Sequence, residues 1–440
     1  MSTDLKSLCT NILVNSNIEK FNSMQLAAIE EGTKGNHLML PSPTGSGKTL
    51  AFLSVVLNRL HRGCNGVTAL IVVPSRELAL QIEAVFRSLK TSFKLTCCYG
   101  GHAFKIEQQT LQEAPAIIIG TPGRIVDHIR RQSTDFSLVD IIVLDEFDNL
   151  LQMGFQNHME TIFDAFARKP QVILTSATAI DVIPEFVNLD RYKTIDFNNE
   201  EKINLTLRLV RGASELKVET LINLITQFNQ EPTLVFCNHR EAVERISILL
   251  VKKNFKHGVF HGGMEQIDRE KSLIKFRSGS HNVLIATDLA ARGLDIPLIK
   301  HIVHFQYPVN HSEFIHRNGR TARMHAEGTA YLILSDEESI PEYIDGKIEE
   351  FTLSAESKSY PEPLYECLYI SAGKKDKISK SDILGFLTQS AGAEGKDIGL
   401  ISVLDKSSYV AINRSNLETI LKNLKDPKIK KMKVKIEVAS

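Results

Sequence analysis

No apolar run in this sequence approaches the roughly 20 residues that a membrane span needs, so no membrane-spanning helix is expected. The first twenty residues mix Asp4, Lys6, Glu19 and Lys20 with short apolar stretches, which is not the charged-then-apolar layout of a secretory leader. Cysteine is scarce: six in 440 residues, with no Cys-x-x-Cys pair. That argues against a zinc module and against a disulfide framework, and it points to a reducing cytoplasmic setting. Net charge is absent too, because 52 Lys+Arg balance 52 Asp+Glu. Taken whole, the chain is not a basic protein that coats nucleic acid. With 43% hydrophobic and 24% charged residues it is an ordinary globular chain, long enough for about three domains.

The zero hides an uneven distribution. Residues 364–440 carry 14 Lys+Arg against 9 Asp+Glu, a balance of +5, which leaves −5 on the preceding 363 residues. A basic module on a slightly acidic body hints at a polyanion partner, although charge alone equally describes a solvated lysine face.

Short apolar runs alternate with amphipathic stretches. Residues 37–40, 68–73, 116–119, 141–144 and 171–174 read as buried strands, and 233–236, 256–260, 282–286, 301–304 and 329–334 repeat the rhythm. Alternation of this kind predicts parallel sheets covered by helices, with ligand sites at the carboxyl ends of the strands. The polar stretch 195–204 and the Ser/Glu/Lys-rich stretch before Pro361 and Pro363 read as breaks. The expected division is residues 1–203 and 204–348 as two α/β lobes, 349–363 as a linker, and 364–440 as a small α+β domain of order βαββαβ.

Chemistry concentrates at one junction. Ser42-Pro43-Thr44-Gly45-Ser46-Gly47-Lys48-Thr49 follows the first strand and opens an apolar helix. Glycines there let backbone N–H groups wrap a triphosphate, Lys48 reaches its oxygens, and the Thr49 hydroxyl ligates Mg²⁺. The bland alternative is a glycine turn before a helix. Residues 141–146 then place Asp145 and Glu146 at the end of a buried strand, where Asp145 suits Mg²⁺ and Glu146 an attacking water. Residues 316–323 carry Arg317, Arg320 and Arg323 beside a glycine, a source of positive charge for a phosphoryl-transfer transition state.

These pieces resemble the DEAD-box RNA helicases, with Asp145-Glu146-Phe147-Asp148 in place of the naming tetrad. The other motifs stand in family order: residues 74–79, Gly100-Gly101, Thr121-Pro122-Gly123-Arg124, Ser176-Ala177-Thr178, His261-Gly262, Ala286-Thr287-Asp288, residues 292–295, and His316 to Arg323. The resemblance implies two RecA-like lobes that bind ATP, Mg²⁺ and single-stranded RNA. It gives Gln25 the adenine. Thr44, Gly45, Ser46, Gly47, Lys48 and Thr49 would take the phosphates, and Gly293, Asp295, Arg320 and Arg323 the nucleotide from the second lobe. It gives RNA to Arg76, Gly101, Thr121, Gly123, Arg124, His261, Gly262, Thr287 and Asp288. Asp148, Ser176, Thr178 and His316 would couple hydrolysis to strand separation. The segment before Gln25 departs from the family, with Asn17-Ile18 and Phe21-Asn22-Ser23 and no aromatic near Leu8. Phe147 replaces a small residue and is expected to alter packing only.

The tail resembles that of the DbpA-type helicases, most clearly over residues 370–377 and 397–399. That implies an RNA-recognition-like domain gripping 23S-type large-subunit ribosomal RNA, on a protein expected to be a cytoplasmic monomer. Lys374, Lys375 and Lys377 are expected to meet phosphates. Tyr369 and Tyr409 either stack on bases or are half-buried sheet residues, and the lysines of residues 428–435 either contact RNA or protect an edge. The implied activity is RNA-dependent ATP hydrolysis with unwinding of short duplexes; an ATP-gated RNA clamp is the alternative.

Overall fold

The computed structural model describes residues 3–42, 45–61, 64, 66–178, 180, 182–187, 189, 191–196, 205–288, 299–321, 327–344, 346–354, 362–424 and 427–439. Thr44, Gly293, Asp295 and Arg323 lie outside these residues. The chain forms two compact units that meet in sequence after Ile203.

The first unit is built on β1 (Leu38–Pro41), β2 (Ala69–Val72), β3 (Leu95–Cys98), β4 (Ile117–Gly120), β5 (Ile141–Leu144), β6 (Gln171–Ser176) and β7 (Lys193–Thr194). They pair in the order β3-β4-β2-β5-β6-β1-β7, all parallel. Central strands are apolar at successive positions because both faces are covered. Leu38, Leu40, Ile71, Ile141 and Val143 pack on one side, and Met39, Leu70, Val72, Ile142 and Leu144 on the other. The helix Thr3–Ser16 sends Leu5, Leu8, Cys9 and Ile12 into the first of these cores. The amino-terminal stretch is therefore part of the lobe, and Leu8 is committed to packing.

The second unit repeats the plan with β8 (Leu205–Gly212), β9 (Thr233–Cys237), β10 (Gly258–Phe260), β11 (Val283–Thr287), β12 (His301–His304), β13 (Gly328–Ser335) and β14 (Ile348–Glu350). Their order is β10-β11-β9-β12-β13-β8-β14, again parallel. β14 takes in the first residues of the expected linker, and beyond it the Phe351 N–H donates to Leu209 O at 2.8 Å. Glu349 and Glu350 made this segment read as a connector, but charge is what an outermost strand carries to discourage further pairing.

The tail follows in the same unit. β15 (Tyr365–Ile370), β16 (Ile398–Val403), β17 (Ser408–Asn413) and β20 (Ile436–Val438) form an antiparallel sheet of order β16-β17-β15-β20. Helices Lys380–Ser390 and Arg414–Asn423 fill its core with Ile383, Leu387 and Ile420. The expected fold class, two parallel-sheet lobes and a small α+β domain, is the observed one. One element differs: residues 428–433 form a hairpin of β18 (Lys428–Ile429) and β19 (Met432–Lys433) before β20. Its turn residues Lys430 and Lys431 both have positive φ, 49° and 69°. Such a turn normally carries Asn or Gly, so two lysines gave no sign of it.

Candidate functional site: a nucleotide and RNA edge

Strand order sorts the expected site residues of the first unit into two neighbouring groups. The carboxyl ends of β1, β5 and β6, adjacent in the sheet, deliver Lys48, Asp145, Glu146, Ser176 and Thr178. Those of β2, β3 and β4, also adjacent, deliver Arg76, Gly101, Thr121, Gly123 and Arg124. One edge of one sheet thus holds both sets.

In the phosphate loop, Gly45 and Gly47 adopt φ of 91° and 88°, values that L side chains rarely take. The loop folds back on itself: the Lys48 ammonium donates to Ser42 O and, at 3.4 Å, to Ser176 O. Ser42, which replaces the usual first glycine, is buried and its hydroxyl meets that of Ser46. Thr49 is in the first turn of the helix Lys48–His61.

Asn22, in the segment that departs from the family, turns out to brace this loop. It caps the helix Ser23–Thr33 by accepting from the Gln25 N–H at 2.8 Å, and its Nδ2 donates to Ser46 O at 2.9 Å. Gln25 returns the bond to the Asn22 N–H through Oε1 and reaches Gly47 O with Nε2 at 3.3 Å. A methyl group on Gly47 would lie 2.4 Å from Gln25 Nε2. Gly47→Ala is therefore expected to weaken ATP binding at least about tenfold, through backbone strain and a displaced Gln25. Titration with a fluorescent ATP analogue reads this directly, and unchanged affinity would refute it.

At the end of β5 the chain turns sharply. Glu146 sits in the left-handed region, φ 51° and ψ 50°, and the helix Phe147–Gln152 begins directly after it. Strain of this kind is held by its surroundings. The Glu146 N–H donates to Thr175 Oγ1 at 3.1 Å, Asn149 Nδ2 donates to Glu146 Oε2 at 2.8 Å, and the Thr175 hydroxyl donates to Asp145 Oδ1. Burial first, and the Glu146 charge second, push Asp145 up to about 6. Two buried acids side by side are the oxygen donor set of a hard divalent cation, so Asp145 and the Thr49 hydroxyl fit Mg²⁺. Phe147 begins the helix after β5 and is fully buried in the core that holds Leu144, Leu150 and Met159, so its side chain is taken up by packing. Thr178 Oγ1 donates to Asp148 Oδ2 at 3.0 Å, and Ser176 Oγ to Thr178 O at 2.6 Å.

On the neighbouring strand ends, Gly101 has φ 82°, Arg76 lies over the Tyr99 ring at 4.8 Å, and Thr121 directly precedes the helix Pro122–Arg130 that carries Gly123 and Arg124, with no capping bond from its hydroxyl. In the second unit His261 and Gly262 follow β10, and Thr287 and Asp288 close β11. His261 accepts from the Gly263 N–H at 3.2 Å, and Gly262 faces open space. The Asp288 carboxylate, expected at RNA, is held in a fork by Arg317 at 2.5 and 2.6 Å. Arg317 also donates to Asn238 Oδ1 at 2.8 Å and Gln306 O at 2.6 Å. His316 and Arg320 are buried nearby, at the end of the same helix and just past it.

Three family models match in order: DEAD/DEAH box helicase over residues 22–186, helicase conserved C-terminal domain over 216–325, and DbpA RNA binding domain over 367–438. The ATP-dependent RNA helicase DbpA of Escherichia coli K12 is 32% identical over 421 residues, covering 92% of both chains. The chain belongs to the DbpA-type DEAD-box RNA helicases. A second DbpA, from Bacillus subtilis 168, is 28% identical and covers 95% of this chain and 94% of that one. The structure of S. cerevisiae Dbp5 bound to RNA and ADP BeF3 matches the fold with a TM-score of 0.70 at 24% identity, over 80% of this chain and 94% of that one. Like other DEAD-box enzymes, the protein is an ATP-dependent helicase that binds ATP and RNA. Among the described residues no helix is long and apolar enough to cross a membrane.

In this DbpA-type tail the sheet face is already occupied. Tyr409 is 3% exposed and packs with Cys367 and Ala439 on Ile274 of the helix Gln266–Arg277, while Lys275 Nζ donates to Ala439 O at 2.6 Å. Tyr369 stands edge-on to Tyr409, centroids 5.6 Å apart. Of the two sequence readings, base stacking and a packed sheet residue, Tyr409 takes the second. The tail lysines lie elsewhere. The Lys374–Asp376 turn is pinned by backbone bonds to Leu404 O and Asp405 O, and Lys430 Nζ donates to Lys377 O at 2.9 Å. Lys374, Lys375 and Lys377 are exposed, and the Lys430 bond ties the end of their turn to the Lys428–Lys433 hairpin.

Proposed function

We propose that this helicase remodels short duplexes in large-subunit, 23S-type ribosomal RNA, with the tail as its address and the two lobes as a sequence-blind engine. The observation that carries this reading is the DbpA RNA binding domain match over residues 367–438, joined to a +5 tail whose loop and hairpin lysines are exposed. In the lobes, Lys48 and the loop glycines would hold the triphosphate, and Thr49 and Asp145 would hold Mg²⁺. When bound, Mg²⁺ neutralises charge on the phosphates. Glu146 would orient the attacking water, and Arg320 and Arg323 would meet the γ-phosphate. RNA contacts by backbone N–H groups, hydroxyls and arginines read phosphate, which carries no sequence.

Phosphate contacts by the tail predict a charge effect. Reversing Lys374, Lys375 and Lys377 to Glu together is expected to remove the preference for ribosomal fragments over random RNA and to flatten its salt dependence, while stimulation by short unstructured RNA persists. The check is RNA-stimulated phosphate release with each RNA at two salt concentrations. Equal activation of the parent chain by ribosomal and random RNA would refute the targeting; duplex binding without strand separation would favour the clamp.

A further inference from the structure

The most buried acid among the described residues belongs neither to the nucleotide site nor to an ion pair that sequence motifs anticipate. Glu107, 2% exposed, lies on the helix Phe104–Leu111 just after the Gly100-Gly101 turn. Its Oε1 accepts from the Tyr99 N–H at 3.2 Å and faces His102 Nδ1 at 3.2 Å. Its Oε2 faces His128 Nε2 at 2.9 Å and Arg124 Nη1 at 3.4 Å. Arg124 completes the loop by donating to His102 O at 3.0 Å. The Phe104 ring stacks on His128 at 4.5 Å and lies 5.7 Å from the Arg124 guanidinium.

Cys98, Glu107 and His128 place donor atoms within 4.8 Å of one another, and these are the ligand types of a zinc site. Two facts speak for an arginine clamp instead. The Arg124 guanidinium already supplies the positive charge at the carboxylate, and burial pushes the Cys98 thiol far above its ordinary value. A divalent cation would be set against a fixed cation with no thiolate to hold it.

We propose that Glu107 is a positioning residue for RNA: one buried carboxylate that fixes both the amide leading into the Gly100-Gly101 turn and the guanidinium of Arg124. The proposal rests on the reading above that Gly101 and Arg124 touch RNA phosphates. An exposed acid there would repel the ligand. Buried and paired, it is shielded from RNA while it removes the conformational freedom that Arg124 would otherwise lose on binding. The stacked Phe104 and His128 rings close the pocket around it.

The test is RNA-stimulated ATP turnover of the full chain, titrated with a single-stranded oligouridylate. Glu107→Gln is expected to raise the half-saturating RNA concentration about tenfold and to leave the maximal rate within about twofold. Arg124→Ala should raise it at least as much, and the double variant should fall short of the product of the two single effects, because Glu107 acts in part through that arginine. If Arg124→Ala has no effect, the RNA path beneath the proposal fails. If Arg124→Ala weakens RNA and Glu107→Gln does not, the proposal alone fails. Multiplying effects in the double variant, or a loss of maximal rate and melting temperature at unchanged half-saturation, would reduce Glu107 to general support and overturn it. Should Glu107→Gln not fold, Glu107→Asp keeps the charge but shortens its reach, and the same shift in half-saturation is expected.

Discussion

Glu146→Gln should leave ATP bound while RNA-stimulated phosphate release falls by about 10³-fold, within the range that loss of a positioned general base produces. The geometry explains why so small a change is costly. Glu146 is held at φ 51° by its own N–H on Thr175 and by Asn149 Nδ2 on Oε2. A glutamine can keep the bond from Asn149 only by turning its carbonyl oxygen there, which aims its NH₂ group where the carboxylate oxygen was. That group donates and cannot take a proton from water. The backbone strain is unchanged, so the loop should survive and ATP should still bind. Nucleotide binding by filter assay, beside phosphate release at saturating RNA, separates the two effects. A full rate in Glu146→Gln would remove Glu146 from the water-orienting role.

The positions of these residues were legible because parallel strands, buried on both faces, leave short apolar runs whose ends can be read. Residues 141–144 and 171–174 marked β5 and the start of β6 nearly to the residue, and so located Asp145 and Ser176. What was hidden is the polar support behind the motifs. Thr175, Asn238 and Gln306, and Asn22 in its bond to Ser46, are polar residues whose partners come near only on folding, and no period or spacing announces those bonds. Glu107 sits on a helix of mixed composition where a glutamate ordinarily reads as solvated. One signal was available, a histidine, an arginine and an acid all within reach of the Gly-Gly and Thr-Pro-Gly-Arg motifs, but without the fold it does not converge. Charged segments misled in the same way: Glu349-Glu350 concealed an edge strand and Lys430-Lys431 concealed a hairpin turn.

Neutral overall charge takes on a different meaning once the tail is in place. The sheet face that RNA-recognition folds use for stacking has Cys367 and Tyr409 packed on the helix carrying Ile274, and Lys275 is tied to Ala439 O. Burial lowers Lys275 from its ordinary value, which a backbone carbonyl partner does not offset. RNA that stacked on that face would first have to uncover it. The exposed lysines on the loop and hairpin need no such step, so charge is set where the tail is open and apolar surface where it is joined to its own lobe.

Arg317 carries the largest expected stability effect. It is 1% exposed and donates to Asp288, Asn238 and Gln306 O, while its Nη1 lies 3.4 Å from His304 Nδ1. Burial and the nearby guanidinium push His304 down to about 3, so it stays neutral at working pH and its Nε2–H is free to donate to Asn318 Oδ1 at 3.1 Å. Three strand ends of the second sheet, those of β9, β11 and β12, and the turn after β12 therefore converge on one guanidinium. Arg317→Met keeps much of the volume but leaves the partly buried Asp288 carboxylate without its partner, at a cost of about 3 kcal/mol, the lower end for a broken ion pair of this kind. Arg317→Lys restores one charge but not the planar fork, and should recover only part of that loss. Because Thr287, Asp288 and His261 share this edge, RNA stimulation should fail before ATP binding by the first lobe does. The check is thermal unfolding of the full chain, where the second unit's transition should drop by about 10 °C for Arg317→Met. A transition that stays in place would mean that the network is ornamental to the lobe and that Asp288 is free to serve RNA instead.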